Sequence, residues 1–292
     1  MDRRRLWSNG RVAHSSLKGQ VEAKQFVEGD WAQVAEGKVP LLDAPEGKRE
    51  RELLYGEPFC VLEWGADHIF GFALRDEYTG YIARDCLFDA YRQPTHFVDA
   101  PRTYMKGTPD FKTYEPVFDL SFGSLVEVLE EQGRWSGIAV RFNDEPGKLW
   151  TNWMPSAHLR PIQPFLSDPV EVAGRFVGTP YLWAGNSAFG IECSGLVQTA
   201  CLACGITCPG DSDMQEAELG EPLTEGEPLK RGDLLFWKGH VAWVVDPETI
   251  LHANAHHMAV AYEGLEAAIA RIEAQGDGPV TARKRLKELS HE

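Results

Sequence analysis

Basic residues are in short supply in this chain, which has 29 lysines and arginines among 292 residues against 44 aspartates and glutamates. Nucleic acids and anionic membrane surfaces select basic patches, so the formal net charge of −15 argues against both as partners. Long hydrophobic runs are missing too. The N-terminus has a basic start, Arg3 to Arg5, but no apolar stretch follows it. We therefore expect no signal peptide and no membrane span, and we predict a cytoplasmic protein.

Cysteine is scarce, and its distribution argues against a disulfide framework. Four of the six cysteines lie within sixteen residues, from Cys193 to Cys208, a crowding that is not typical of secreted, disulfide-rich domains. Cys201, Cys204 and Cys208 have a spacing that some metal sites use, but no clear fourth ligand follows them. We interpret them as small core residues, and we expect no metal ion and no organic cofactor.

What the chain does have is a cysteine at the start of a predicted helix. Apolar residues recur at helical spacing from Ser194 until Gly205, at Leu196, Val197, Ala200, Cys201 and Cys204. Cys193 then falls in the first turn, where the helix dipole and unpaired N–H groups favour the thiolate, which is the nucleophilic form. Taken alone, such a residue is more often a buried structural cysteine.

Two histidines that could serve this cysteine follow about fifty residues later. Three predicted strands succeed one another there, at residues 231–237, 240–245 and 249–253. His240 begins the second strand and His252 lies near the end of the third, so antiparallel pairing would bring them side by side. One imidazole can take the thiol proton while a second polar group orients that imidazole. Together with Cys193, the two histidines therefore indicate nucleophilic catalysis.

These residues carry a resemblance to a known family. The NlpC/P60 cysteine peptidases have motifs similar to Gly178-Thr-Pro-Tyr-Leu-Trp-Ala-Gly185, to Cys193-Ser-Gly-Leu-Val-Gln198 and to residues 209–215, 229–236, 239–241 and 250–253. The resemblance covers about residues 169–264 and implies a papain-like fold that hydrolyses bonds of bacterial cell-wall peptides. It implies that Cys193 is the nucleophile, His240 the general base and later acid, and His252 the orienting third member.

Two segments before that region resemble bacterial SH3 domains. Their matching pieces are residues 56–64 and 78–87 in the first segment, and 123–129, 135–142 and 150–159 in the second. The predicted fold is a multidomain α+β protein, with two small SH3-like β-barrels followed by a papain-like NlpC/P60 domain. The predicted boundaries are 1–35 for a lead-in segment, 36–95 and 108–162 for the SH3-like domains, and 168–292 for the peptidase domain. Within the lead-in, residues 21–27 are expected to form a short helix or to cover a neighbouring domain.

The whole chain resembles the cytoplasmic γ-D-glutamyl-L-diamino acid endopeptidases of cell-wall peptide recycling. The resemblance implies a murein peptide substrate such as L-Ala-γ-D-Glu-diaminopimelate, held by its free α-ammonium. It implies that Tyr78, or alternatively Tyr81, closes one end of the cleft and that Asp211 receives the ammonium, with Glu192 and Ser194 in the same pocket. Barrel packing would account for the tyrosines, and helix capping for the aspartate, without any substrate.

The chain departs from the family at two positions. Glu192 stands where an aspartate usually precedes the cysteine, so the acidic group is kept but reaches one methylene further. Gly210 stands where the family tends to have arginine.

Three alternatives stay open on the sequence alone. The protein could be an exported hydrolase anchored to intact wall by its SH3-like domains, or a non-catalytic wall-binding protein. A zinc site could use His240, His252, His256 and His257, although adjacent histidines on a strand point to opposite faces, so His256 and His257 would not readily join one site. The diamino acid and the oligomeric state do not follow from the sequence.

Overall fold

The computed structural model describes residues 2–141 and 148–287 and divides into two units. The first unit, residues 1–163, consists mainly of strands. Its strands are β1 Val12–His14, β2 Gln25–Val27, β3 Asp30–Val34, β4 Lys38–Leu42, β5 Arg49–Leu54, β6 Pro58–Trp64, β7 His68–Ala73, β8 Thr79–Ala83, β9 Leu87–Phe88, β10 His96–Val98, β11 Arg102–Met105, β12 Phe118–Ser121, β13 Leu125–Val126, β14 Val128–Gln132, β15 Trp135–Val140, β16 Trp150–Pro155 and β17 Leu159–Pro161. Phe142, the last residue of the piece 135–142 that resembles an SH3 domain, lies outside the described residues.

A seven-stranded antiparallel sheet forms the first half of this unit, in the order β5-β4-β8-β7-β6-β3-β9. Alternate residues of β6 serve two faces, because successive side chains of a strand point in opposite directions. Phe59 and Val61 enter one buried cluster, while Cys60 and Leu62 enter another. Both faces of β6 are therefore covered by apolar side chains, which explains its nearly continuous hydrophobic sequence.

The N-terminal segment contributes to this sheet more than the sequence predicted. Trp7 and Val12 pack in the second cluster of β6, so the segment covers one face of the sheet. β3 belongs to the sheet itself, so the sheet begins before the predicted boundary at residue 36. The short helix expected at residues 21–27 is wrong, because residues 25–27 form β2, which pairs with β1.

The second half of the unit consists of smaller sheets, with the orders β13-β10-β17, β11-β12 and β14-β15-β16. Val98, Leu120, Ile138 and Met154 meet in one buried cluster that joins strands of all three. This half therefore has an apolar core of its own, although its strands are short.

The second unit, residues 164–292, combines a sheet with four helices in its described part. Its elements are α1 Pro169–Gly174, β18 Asn186–Ser187, β19 Gly190–Ile191, α2 Cys193–Ala203, α3 Ser212–Glu218, β20 Glu221–Pro222, β21 Asp233–Trp237, β22 His240–Asp246, β23 Thr249–Asn254, β24 Ala259–Gly264, α4 Leu265–Gln275 and β25 Ala282–Arg285. None of the helices in the described residues is long and apolar enough to cross a membrane.

The sheet of the second unit has six strands in the order β20-β25-β21-β22-β23-β24, and all neighbours are antiparallel. β25 is thus an interior strand rather than the solvated strand or frayed end that its basic sequence favours. Lys284 is buried, and Arg285 donates from Nε to Oδ1 of Asp233 on β21 at 2.8 Å. The ion pair neutralises the buried Asp233 carboxylate.

α2 is the helix predicted from the apolar spacing, and it packs against β22 and β23. Gly205 ends it in the left-handed region, with φ of 74°, a conformation that glycine adopts without strain. The apolar face of the helix is buried, so the polar residues at its start are held at a fixed position above the sheet.

Candidate active site

Cys193 is the first residue of α2 and lies beside β22. Its side chain is buried, and backbone N–H groups of Val241 and Ser194 hydrogen bond with the sulfur. Gly195 lets the first turn approach the preceding loop, because a Cβ at that position would stand 2.6 Å from the carbonyl oxygen of Gly185. The sequence thus places the thiol at a closely packed corner between a helix start and a strand.

The protonation of this thiol differs from the expectation. Burial first, and then the nearby Glu192 charge, raise the pKa of Cys193 to about 12, although the backbone N–H groups oppose the shift. The expected thiolate at the helix start is therefore wrong for the resting protein, because desolvation outweighs the backbone donors. The thiol needs a base to deprotonate it.

His240 and His252 lie together, as the strand pairing predicted. Nε2 of His240 is 2.8 Å from Nδ1 of His252. Burial lowers the pKa of His240 to about 3 and that of His252 to about 4, the latter against the attraction of the Glu263 charge. Both imidazoles are therefore neutral at neutral pH, and a neutral imidazole can accept a proton.

Glu263 and Arg271 extend this row, and sequence reasoning missed both. Nε2 of His252 is 3.0 Å from Oε2 of Glu263, and Arg271 donates to both oxygens of that carboxylate, at 2.9 Å from Nε and 2.7 Å from Nη2. The hydrogen bonds from Arg271 lower the pKa of Glu263 to about 2. The carboxylate is thus charged, and it binds the nitrogen of His252 that faces away from His240.

Glu192 and Ser194 flank the cysteine and are joined to each other. The Ser194 hydroxyl donates to Oε1 of Glu192 at 2.8 Å, and the backbone N–H of Ala184 donates to Oε2 at 2.7 Å. Glu192 is buried and occupies the N-cap position of α2. The longer glutamate therefore fits the place of the family's aspartate and keeps contact with the predicted pocket residue Ser194.

Asp211 occupies the N-cap position of α3, and its carboxylate accepts no capping hydrogen bond from the described residues of that helix. The loop that carries it is tied to the start of α2. The buried amide of Gln215 donates to the backbone oxygens of Ser194 and Pro209, each at 2.9 Å. The structure thereby links the loop of Asp211 to the segment of Cys193.

Tyr181 is a further residue that the sequence reasoning did not single out. Burial first raises the pKa of its phenol, and electrostatic interactions with Cys193 and Glu192 raise it as well. Its position in the Gly178–Gly185 motif was the available signal.

Tyr78 and Tyr81 lie in the first unit. Tyr78 is buried in the apolar cluster that contains Phe59 and Val61. Tyr81 is partly buried on β8, and its ring centroid is 5.0 Å from that of Phe70. Their roles in substrate binding stay predictions from the family resemblance.

His256 and His257 are not on a strand, so the geometric reason given against a shared site was wrong. They lie in the turn between β23 and β24, with ring centroids 4.8 Å apart. Within the described part of the chain, His252, His257 and Glu263 have possible ligand atoms that lie within 4.8 Å of one another. Glu263 already receives two donors from Arg271 there.

Two family models match the chain. Residues 178–271 match the model described as the NlpC/P60 family, and residues 41–87 match the model described as the bacterial dipeptidyl-peptidase Sh3 domain.

Three curated proteins illustrate the similarity. Dipeptidyl-peptidase 6 of Lysinibacillus sphaericus is 27% identical over 219 residues, which cover 70% of this chain and 79% of that protein. A gamma-D-glutamyl-L-lysine dipeptidyl-peptidase of Bacillus cereus is 36% identical over 98 residues, 31% of this chain and 29% of that protein. Its namesake from Bacillus subtilis is 28% identical over 148 residues, 48% of each chain. The last two alignments thus span under half of those relatives.

A crystal structure of an NlpC/P60 family protein from Bacillus cereus superimposes with a TM-score of 0.72 over 88% of this chain and 99% of that chain, at 20% identity. An NlpC/P60 endopeptidase from Photobacterium damselae gives 0.57 over 88% and 71%, at 13% identity. At these identities the likeness shows the fold alone.

Proposed function

We propose that this protein hydrolyses the γ-D-glutamyl–diamino acid bond of short murein peptides with a free N-terminal L-Ala. The premise is that the chain carries an NlpC/P60 domain and a bacterial SH3-type domain and is a peptidase. The observation that carries the proposal is the hydrogen-bonded pair of His240 and His252 in the unit where Cys193 begins a buried helix. The names of the relatives support the bond that is cleaved.

The proposed reaction starts from a neutral thiol and a neutral imidazole, because burial raises the pKa of Cys193 and lowers that of His240. Cys193 attacks the γ-glutamyl carbonyl carbon while its proton passes to His240. The backbone N–H at Cys193, at the start of α2, stabilises the oxyanion. His240 then gives the proton to the leaving amine, which departs and leaves the dipeptide as a thioester on Cys193. Water, giving a proton to His240, attacks the thioester carbonyl; the C–S bond breaks, free L-Ala-D-Glu leaves, and His240 returns the proton to the Cys193 sulfur. The cycle returns both groups to their starting state and needs no metal or organic cofactor.

For substrate recognition we propose Asp211 as the partner of the α-ammonium, with Glu192 and Ser194 in the same pocket. The tie from Gln215 between Ser194 and Pro209 supports this grouping. A carboxylate is a suitable partner for a desolvated ammonium, since charge-assisted hydrogen bonds are the stronger ones. Tyr78, or Tyr81 in its place, is proposed as a further substrate contact on the family resemblance.

The proposal extends to the architecture and to the place of action. We propose that the segment at residues 108–162 is a second SH3-like barrel and that the catalytic unit has the papain-like arrangement. We propose that the enzyme works in the cytoplasm on peptides released from the wall, as in recycling. The acidic composition of the chain supports this assignment over tight attachment to an anionic wall.

A comparison of substrates tests the function. The purified protein is incubated with L-Ala-γ-D-Glu-diaminopimelate, with the same peptide acetylated on its alanine, and with intact wall sacculi. Acetylation removes the charge that Asp211 receives, so kcat/KM should fall at least about a hundredfold. Asp211→Ala should lose most activity on the free peptide and most of the preference over the acetylated one, whereas Asp213→Ala, in the same helix, should resemble the wild type. Efficient cleavage of sacculi, or equal rates on both peptides, would identify a wall hydrolase instead.

A further inference from the structure

His240, His252 and Glu263 form a row of hydrogen-bonded side chains. Arg271 donates to the Glu263 carboxylate at the end of this row. We propose that Glu263, held by Arg271, is a positioning residue that sets the tautomers of both histidines and so leaves Nδ1 of His240 as the base for the Cys193 thiol. The inference rests on the proposed function, in which Cys193 and His240 are the reacting pair.

The first step concerns the contact between Glu263 and His252. An ionised carboxylate has acceptors only, so the group facing it must donate. Nε2 of His252, 3.0 Å from Oε2 of Glu263, therefore carries the proton of that ring. The His252 side chain is fully buried, so water does not compete for this bond.

The second step passes the same constraint to His240. A neutral imidazole has one N–H, so Nδ1 of His252 is an acceptor once Nε2 is the donor. Nε2 of His240, at 2.8 Å, must then donate to it. His240 has its only proton on Nε2, and its Nδ1 keeps a lone pair. Through two hydrogen bonds in series, the negative charge of Glu263 on β24 therefore keeps Nδ1 of His240 on β22 unprotonated and basic.

Arg271 holds the Glu263 carboxylate in place. It donates to both oxygens of Glu263 from the following helix, and its side chain is largely buried. Two parallel N–H···O bonds fix the plane of a carboxylate as well as its charge. They also argue against a cation bound by His252, His257 and Glu263, because the ion would remove the proton from Nε2 of His252 and would face the guanidinium.

Glu263→Leu is the sharpest variant, because it removes the acceptor that faces Nε2 of His252 and keeps a side chain of similar length. The positive charge of Arg271 then stands near Nε2 of His252 without the carboxylate between them, which favours a lone pair on that nitrogen. The proton of His252 should move to Nδ1, and His240 would have to follow. The free nitrogen on His240 would be lost, so kcat should fall about a hundredfold or more with KM changed less than about threefold. Glu266→Leu, at an exposed position of α4, the helix that carries Arg271, is the matched control and should leave kcat unchanged.

Nitrogen-15 NMR of histidine-labelled protein without substrate reads the tautomers directly. The wild type should show both rings protonated at Nε2, and Glu263→Leu should show both protonated at Nδ1. Arg271→Met, which keeps the carboxylate, should retain the wild-type tautomers. Wild-type rings protonated at Nδ1, or an unchanged kcat in Glu263→Leu, would overturn the proposal, and so would activity lost to a chelator and restored by zinc. If the wild type cleaves no murein peptide, the proposed function fails while the tautomer result still decides this inference.

Discussion

The two ends of α2 carry cysteines in environments that are alike in burial and unlike in neighbours. Cys193 at the start and Cys201 and Cys204 toward the other end are all buried. The thiol pKa is raised at each, by desolvation first for Cys193 and Cys204, and by the hydrogen bond with Cys208 first for Cys201. Neither burial nor the direction of the pKa shift therefore marks a nucleophile.

What separates the two ends is the chemistry within reach. The start of the helix has backbone donors from Val241 and Ser194, the Glu192 carboxylate and the neighbouring strand with His240. The far end has Cys208 beside Cys201, and the charges of Asp168, Arg175 and Glu171 act on Cys204. A reactive thiol is thus defined by an imidazole base and by backbone donors for the developing charge, and the start of the helix provides both.

The largest effect should come from removing the thiol at the start of the helix. Cys193→Ala should lower kcat by about four orders of magnitude or more, because no other group can form the acyl intermediate. The peptide-release assay measures it, and circular dichroism should show an intact fold. Turnover by a contaminant-free preparation of this variant would show that Cys193 is not the nucleophile, and the two ends of the helix would then not differ in reactivity.

The next effect tests whether the base depends on its partner. His252→Ala should lower kcat about a hundredfold or more with little change in KM, since His252 acts through His240 on the transition state. His256→Ala is the matched control and should retain activity within about threefold. A loss of similar size in His257→Ala, whose ring belongs to the set of possible ligands with His252 and Glu263, would point to a metal cluster.

Alkylation by iodoacetamide tests the resting protonation of Cys193. Because its pKa is raised to about 12, the thiolate fraction lies far below saturation at neutral pH. The alkylation rate, followed by mass spectrometry of the Cys193 peptide, should rise about tenfold per pH unit from pH 6 to 9. A rate that is already level below pH 7 would show a preformed thiolate–imidazolium pair, and burial would then not dominate at this end of the helix.

The smallest effect on activity belongs to the far end. Cys204→Ala should reduce the free energy of unfolding by about 1–3 kcal/mol through lost packing, with kcat within about twofold of wild type. Chemical denaturation and the peptide assay measure the two quantities. A stable variant that has lost activity would give the far end a chemical role.

The sequence predicts the elements of the site well because each has a strong local pattern. The apolar spacing after Ser194 specifies α2, and the runs around His240 and His252 specify β22 and β23. Glu263 escaped because its role depends on register. His252 pairs with Ala261, so Glu263 is its diagonal neighbour on the same face, and this follows only once the length of the turn at residues 255–258 is known.

Two other predictions failed for reasons of tertiary context. The helix dipole was expected to favour the Cys193 thiolate, but burial, which one sequence does not reveal, has the opposite and larger effect. Residues 21–27 lack a clear strand pattern, and β2 forms there because β1 provides its partner. Pairing between strands is a non-local property, so composition alone predicts it poorly.

The interior position of β25 has a consequence for synthesis. β21 pairs with β22 on one side and with β25 on the other. A ribosome-bound chain that has already made Cys193, His240 and His252 still has an open edge on β21, with unpaired backbone groups that can pair with another chain. Asp233 also lacks Arg285 at that stage and would be costly to bury. The described sheet is therefore complete only when β25 joins it, and until then the open edge of β21 leaves the unit prone to aggregation.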